Sequence, residues 1–173
     1  TLYAEKLRGL RDPFLEAFNQ PGPDASCELR ESSTVAPQAL TLLNAEEVQD
    51  RALAFAARLL KDSENESDVI KRAFELALGR AAGKEEVDLC VERWNIATRS
   101  ESQKKPVAPS FPKKIKRTVM AEKTGEPYDF WEVLPAFESY QPDLQRSDTD
   151  ARTRGLAHVC LVLFNSNEFA YLD

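Results

Sequence analysis

The stretch from Leu156 to Phe164 reads "LAHVCLVLF", with His158 its single polar side chain. A helix that apolar has almost no wet face, so it belongs inside a fold and must be covered by other elements. The spacing predicts that this helix runs over about 152–164. Three amphipathic stripes upstream supply the cover. Val48, Ala52, Phe55, Ala56, Leu59 and Leu60 recur at helical spacing. So do Ile70, Ala73, Phe74, Ala77 and Leu78, and then Val87, Cys90, Val91, Trp94 and Ala97. Short loops join them, the usual geometry of a small bundle.

Local signals mark the ends of these helices. Gly79 suits the left-handed residue that stops a helix, and Gly83 stands where the next one opens. Asn44 with Glu47 resembles a capping box in front of the first long stripe. Pro37 starts a shorter piece holding Ala39, Leu40 and Leu43. Near the N-terminus, Asp12 can cap a turn that begins at Pro13 and presents Phe14, Leu15 and Phe18. Leu2, Leu7 and Leu10 hint at a further helical face, and residues 20–33 read as an irregular loop.

Residues 99–151 interrupt the helical pattern. "RSESQKKPVAPSFPK" has three prolines and no period, so it reads as a linker or extended arm. Ile115, Thr118 and Val119 precede "KTGEP", and Tyr128, Phe130, Trp131 and Val133 follow it. Two β-rich runs about a glycine-containing turn predict a hairpin. The expected fold class is therefore mainly α: a small helical bundle over residues 1–173, with 99–151 as an inserted linker and β-hairpin arm.

At 173 residues the chain can bury a core without metal or disulfide staples. Its net charge of −6 argues against nucleic acid as a partner, and no apolar run approaches the ~20 residues of a membrane span. Cys27, Cys90 and Cys160 show neither zinc nor haem spacing. Cys90 and Cys160 fall on apolar helical positions, where free cysteine behaves as a small hydrophobe. Cys27 sits in a polar loop and is the better half of any bridge. His158, the only histidine, rules out two-histidine metal sites and reads as a packed, hydrogen-bonded residue. Asp143, Asp148 and Asp150 are oxygen-rich but miss the calcium-loop spacing, and Asp150 is placed to cap the last long helix. No cofactor or metal site is expected.

The basic stretch from Arg99 to Arg117 holds seven cationic residues against Glu101 alone. Its plainer reading is a solvated strand edge whose lysines discourage edge-to-edge pairing. Its other reading is an anionic-ligand site built from Lys113, Lys114, Lys116 and Arg117 with Tyr128 and Trp131. The closing "FNSNEF" reads as punctuation. Asn165 tolerates a left-handed helix end, Ser166 can cap a final turn, and Glu168 meets the positive end of its dipole. Phe169 and Tyr171 would fold back onto the core.

Five stretches, "STVAPQALTLLN", "AFELALGR", "EKTGEPYDFWE", "YQPDL" and "RTRGLAHVCLVLFNSNEFAYLD", resemble the C-terminal part of a planctomycete family known as domain of unknown function 1553. Where that family usually follows "LGR" with Pro-Thr, this chain has "LGRAAGKEE", which puts the strength of helix capping there in question. The resemblance implies the C-terminal piece of a large exported bacterial protein, with a cytochrome c-like region upstream in many members. It also implies an extracytoplasmic setting, where disulfides are permitted. It carries over no catalytic residues. The expected role is a non-catalytic structural or interaction module that packs on upstream domains of the same parent. The alternatives are binding of anionic polysaccharide by the basic arm, and a hydrolase site completed by upstream domains.

Overall fold

Helices in this chain begin and end where side chains can satisfy free backbone groups. The computed structural model describes residues 12–21 and 36–170. Asp12 Oδ1 accepts from the N–H groups of Phe14 and Leu15, which starts the single turn α1 (Pro13–Glu16). Next come α2 (Ala36–Asn44), α3 (Glu46–Asp62), α4 (Glu66–Leu78) and α5 (Lys84–Ser102). After the strands β1 (Lys114–Met120) and β2 (Pro127–Val133), α6 (Ala151–Phe164) and α7 (Asn167–Ala170) close the chain. The fold is mainly helical with one small antiparallel hairpin, as the sequence pattern predicts.

The chain divides into two compact units, Thr1–Lys104 with Asp150–Asp173, and Lys105–Thr149. In the helical unit α6 packs chiefly against α3 and α5. The core is Ala52, Leu53, Ala56 and Leu59 of α3, Val69, Ile70, Ala73 and Phe74 of α4, and Val87 and Trp94 of α5. From α6 it takes Leu156, Ala157, Val159, Cys160 and Leu163. The α5 and α6 backbones approach closely at Gly155: a Cβ there would lie 2.3 Å from Thr98 Oγ1 and 2.7 Å from the Thr98 nitrogen. Trp94 Nε1 donates to the Arg152 carbonyl (2.9 Å), and the Arg152 guanidinium lies over the Trp94 ring. Arg152 also donates to the Glu64 carbonyl, so the α3–α4 turn, α5 and α6 meet at one joint.

Gly79 has φ 71° and stops α4, as its position predicts. Four other readings need correction. Asn44 ends α2 by donating back to the Leu40 carbonyl, and Ala45 stands at the cap of α3, so no Asn44–Glu47 box forms. Residues 99–102 are the last turn of α5 rather than linker, because Glu101 is buried there. Helix α6 is not covered all round: His158 and Val162, one turn apart, are exposed. Asn165 has φ −98°, so it closes α6 by donating its side-chain amide to the Leu161 carbonyl, without a left-handed turn.

In the second unit, β1 and β2 pair antiparallel with Lys116 opposite Trp131 and Thr118 opposite Asp129. The turn closes through Ala121 N–H to the Glu126 carbonyl, with Gly125 at φ 67°. Phe111, Phe137 and Tyr140 form a small aromatic cluster with ring centroids 5.0–6.0 Å apart. Leu2, Leu7, Leu10, Cys27 and Tyr171, like the loop after Pro21, lie outside the described residues.

Candidate functional site

Strand alternation decides which of the hairpin candidates meet. Successive side chains point to opposite faces. One face carries Lys114, Lys116, Thr118 and Met120 with Asp129, Trp131 and Val133; the other carries Ile115, Arg117 and Val119 with Tyr128, Phe130 and Glu132. Tyr128 and Trp131 therefore do not share a platform. Tyr128 stacks beside Phe130 with centroids 6.2 Å apart, and Trp131 stands opposite Lys116. Both aromatic residues are exposed, Trp131 at 65% and Tyr128 at 53%.

Two of the four cations are already matched. Lys116 Nζ sits 2.6 Å from Asp129 Oδ2, and Thr118 Oγ1 donates to Asp129 Oδ1. These bonds hold the Asp129 carboxyl below the usual carboxylate range, the lysine contributing most. Arg117 Nε donates to Glu132 across the other face. Lys113 and Lys114 have no ion-pair partner among the described residues.

The C-terminal motif does different work. Ser166 Oγ accepts from Phe169 N–H and donates to the Leu163 carbonyl, the bonding of a residue that ends one helix and caps the next. Glu168 meets Arg80 through two bonds of 2.5 and 2.9 Å. Arg80 also forks onto Glu86 at 2.7 and 2.9 Å and lies over the Phe74 ring. Glu86 Oε2 accepts from Gly83 N–H as well, and this reach-back stands in for the side-chain cap that the "GRAAG" segment lacks. Arg80 and this backbone bond hold the Glu86 carboxyl down to about 2, and Arg80 likewise lowers Glu168. Phe169 stacks on Phe164, which stacks on Phe55, yet Phe169 stays 46% exposed. The motif bolts α7 to the α4–α5 turn.

The remaining ionisable candidates are also tied into the fold. Asp150 caps α6 by accepting from Thr153, whose hydroxyl and N–H lower its carboxyl. Asp148 accepts from the Gln145 N–H, and the Asp143 carbonyl from the Gln145 side chain. No group of three or more His, Cys, Asp or Glu side chains is placed to hold a metal ion among the described residues. Cys90 and Cys160 are free thiols, and burial pushes both up, Cys160 far more. No helix among the described residues is long and apolar enough to cross a membrane.

One constellation escaped the sequence reading. Glu101 is 1% exposed and takes Arg154 Nε at 3.1 Å, Lys104 Nζ at 2.8 Å and His158 Nε2 at 3.1 Å. Arg154 is itself buried. The signal was present: Glu101 lies seven residues beyond Trp94, on the stripe that α5 buries. The other half, Arg154, sits in the first turn of α6, where long-range pairing leaves no local trace.

With this geometry in hand, comparison with known proteins places the chain. The family model described as "Protein of unknown function (DUF1553)" matches residues 1–94. The chain belongs to this family. The match spans α1 to α4 and most of α5; the hairpin, α6 and α7 lie outside it. No curated protein and no solved structure matches the chain.

Proposed function

We propose that this chain is a non-catalytic interaction module, and that its β-hairpin unit is the element that meets a partner. In keeping with the family resemblance, the partner is the upstream part of a larger exported bacterial protein. The observation that carries this reading is the hairpin's surface. Trp131, Met120, Tyr128 and Val133 are all exposed, on two faces of a sheet only two strands wide. Aromatic side chains with one wet edge supply much of the energy at protein interfaces. Three of the groups that could do acid–base chemistry, by contrast, are spent on the fold: His158 on Glu101, Glu168 on Arg80, Asp150 on a helix cap.

The test is titration calorimetry of the chain against the rest of the parent protein. A 1:1 complex is expected, weakened at least about tenfold by Trp131→Ala with Tyr128→Ala. It should be indifferent to Glu168→Gln. A complex that ignores both aromatic changes contradicts the proposal. So does a parent activity lost in Glu168→Gln at unchanged melting temperature, which would restore the hydrolase alternative.

The second reading, binding of anionic polysaccharide, is favoured by Trp131 lying on one face with Lys114, whose charge is unmatched. Binding to acidic glycans that fades in high salt and in Lys114→Gln would support it.

A further inference from the structure

We infer that the outer edge of β1 takes up an extended acidic segment of a partner protein as a third strand. The inference deepens the interaction-module reading and rests on it.

The hairpin's hydrogen bonds determine which groups face outward. Ala121 N–H bonds the Glu126 carbonyl at one end, and Leu134 N–H bonds the Lys113 carbonyl at the other. In an antiparallel pair, bonded and non-bonded residues alternate. Ile115, Arg117 and Val119 therefore turn their backbone groups toward β2. Lys114, Lys116, Thr118 and Met120 turn theirs to the open side. None of these four makes a backbone hydrogen bond outside the ladder among the described residues. The outer edge of β2 is poorer, because Pro127 has no N–H to offer.

Side-chain chemistry names the occupant. The sequence of β1 with its flank, "KKIKRTVM", is basic, and the strand already paired with it, "PYDFWEV", carries acids among aromatics. Asp129 meets Lys116 and Thr118, and Glu132 meets Arg117. β2 is thus a template for what β1 accepts, and Lys113 and Lys114 remain unmatched. A second copy pairing β1 with β1 would set lysine against lysine, which is unfavourable across strands. Lysines on an edge reject like strands; they do not reject acidic ones. A two-stranded ribbon is marginal in water, and a third strand extends both of its faces. Main-chain bonds then give affinity and alternate side chains give selectivity, as in strand addition generally.

A labelled peptide with the chain's own 126–134 sequence, "EPYDFWEVL", is the probe, and fluorescence anisotropy against the whole chain is the readout. Saturable 1:1 binding that weakens with salt is expected. Replacing the peptide's three acids with lysine should abolish it. Thr118→Pro removes one outward donor where an edge strand tolerates proline, and should weaken binding about tenfold, the equivalent of one lost hydrogen bond. Thr118→Val, which keeps the N–H, should bind as the unsubstituted chain does. If Thr118→Pro loses its hairpin by circular dichroism, Met120→Pro at the strand end replaces it. Binding that ignores the proline in β1 means the peptide has displaced β2 or docked elsewhere, and overturns the inference. Self-association of the chain without peptide, or equal binding of the lysine peptide, also overturns it. No peptide binding beside an intact aromatic-dependent complex with the parent removes strand addition alone; loss of both removes the module reading too.

Discussion

Gly155→Ala is the most informative single change in the helical unit, because two opposing effects of known size meet there. In a solvated helix, alanine in place of glycine stabilises by about 1 kcal/mol. Here the new Cβ would stand 2.7 Å from the Thr98 nitrogen and 2.9 Å from its Cα, against the 3.4–4 Å of ordinary contact. The Thr98 hydroxyl can rotate away; its backbone cannot. Relief requires α5 and α6 to part by about half an ångström or more, and the joint they share includes buried Trp94 and Leu156. Overpacking of this kind costs about 1–3 kcal/mol, occasionally more. We expect the clash to win, with a net loss of about 1–2 kcal/mol. In urea melts the midpoint should fall at unchanged slope. Adding Thr98→Ala should recover little, since the backbone remains in the way. A Gly155→Ala variant as stable as the parent, or more so, would refute the close-approach argument.

Five further outcomes follow from the same structure. Phe74→Ala empties a fully packed site and should cost about 3–5 kcal/mol in denaturant melts; a loss below about 1 would sink the bundle packing. Glu101→Gln strips the buried Arg154 of its counter-charge and should cost about 3–5 kcal/mol, whereas a surface pair would barely register. Ser166→Ala should cost about 0.5–2 kcal/mol by calorimetric melting. Phe169→Ala, being half exposed, should cost a similar amount, less than full burial would imply. The Arg80 clasp should respond to acid. Its carboxylates have depressed folded values, so their contribution is fully present above the ordinary 4.5 and is lost as pH falls toward about 2 for Glu86. The melting-temperature gap between the parent and Arg80→Gln should therefore close across that window; a gap independent of pH would contradict it.

Much of this architecture is written in local pattern. The stripes of α3, α4 and α5, the stop at Gly79 and the cap at Asp150 each follow from neighbours within one or two helical turns. The hairpin followed from two β-rich runs and a glycine turn. What stayed hidden depends on contacts far apart in sequence. Glu101 and Arg154 are separated by 53 residues, and Arg80 and Glu168 by 88. The prolines after residue 105 mask the last turn of α5, and the partner that explains a buried charge at Glu101 lies 53 residues away. The candidate site was legible as composition, basic groups beside aromatics. Its division between two faces, and the cross-strand pairing of Lys116 and Arg117, required the register.

The central claim is that the hairpin, and not the ionisable groups of the helical unit, meets a partner. Hydrogen exchange read residue by residue, in the chain alone and within the larger parent protein proposed above, tests this directly. Outward-facing amides at Lys114, Lys116, Thr118 and Met120 lack ladder partners and should exchange rapidly in the chain alone. In the parent they should become protected together, while the amides around His158 and Glu168 keep their rates. Protection gained around His158 and Glu168, with the four β1 amides still exchanging freely, would contradict the account.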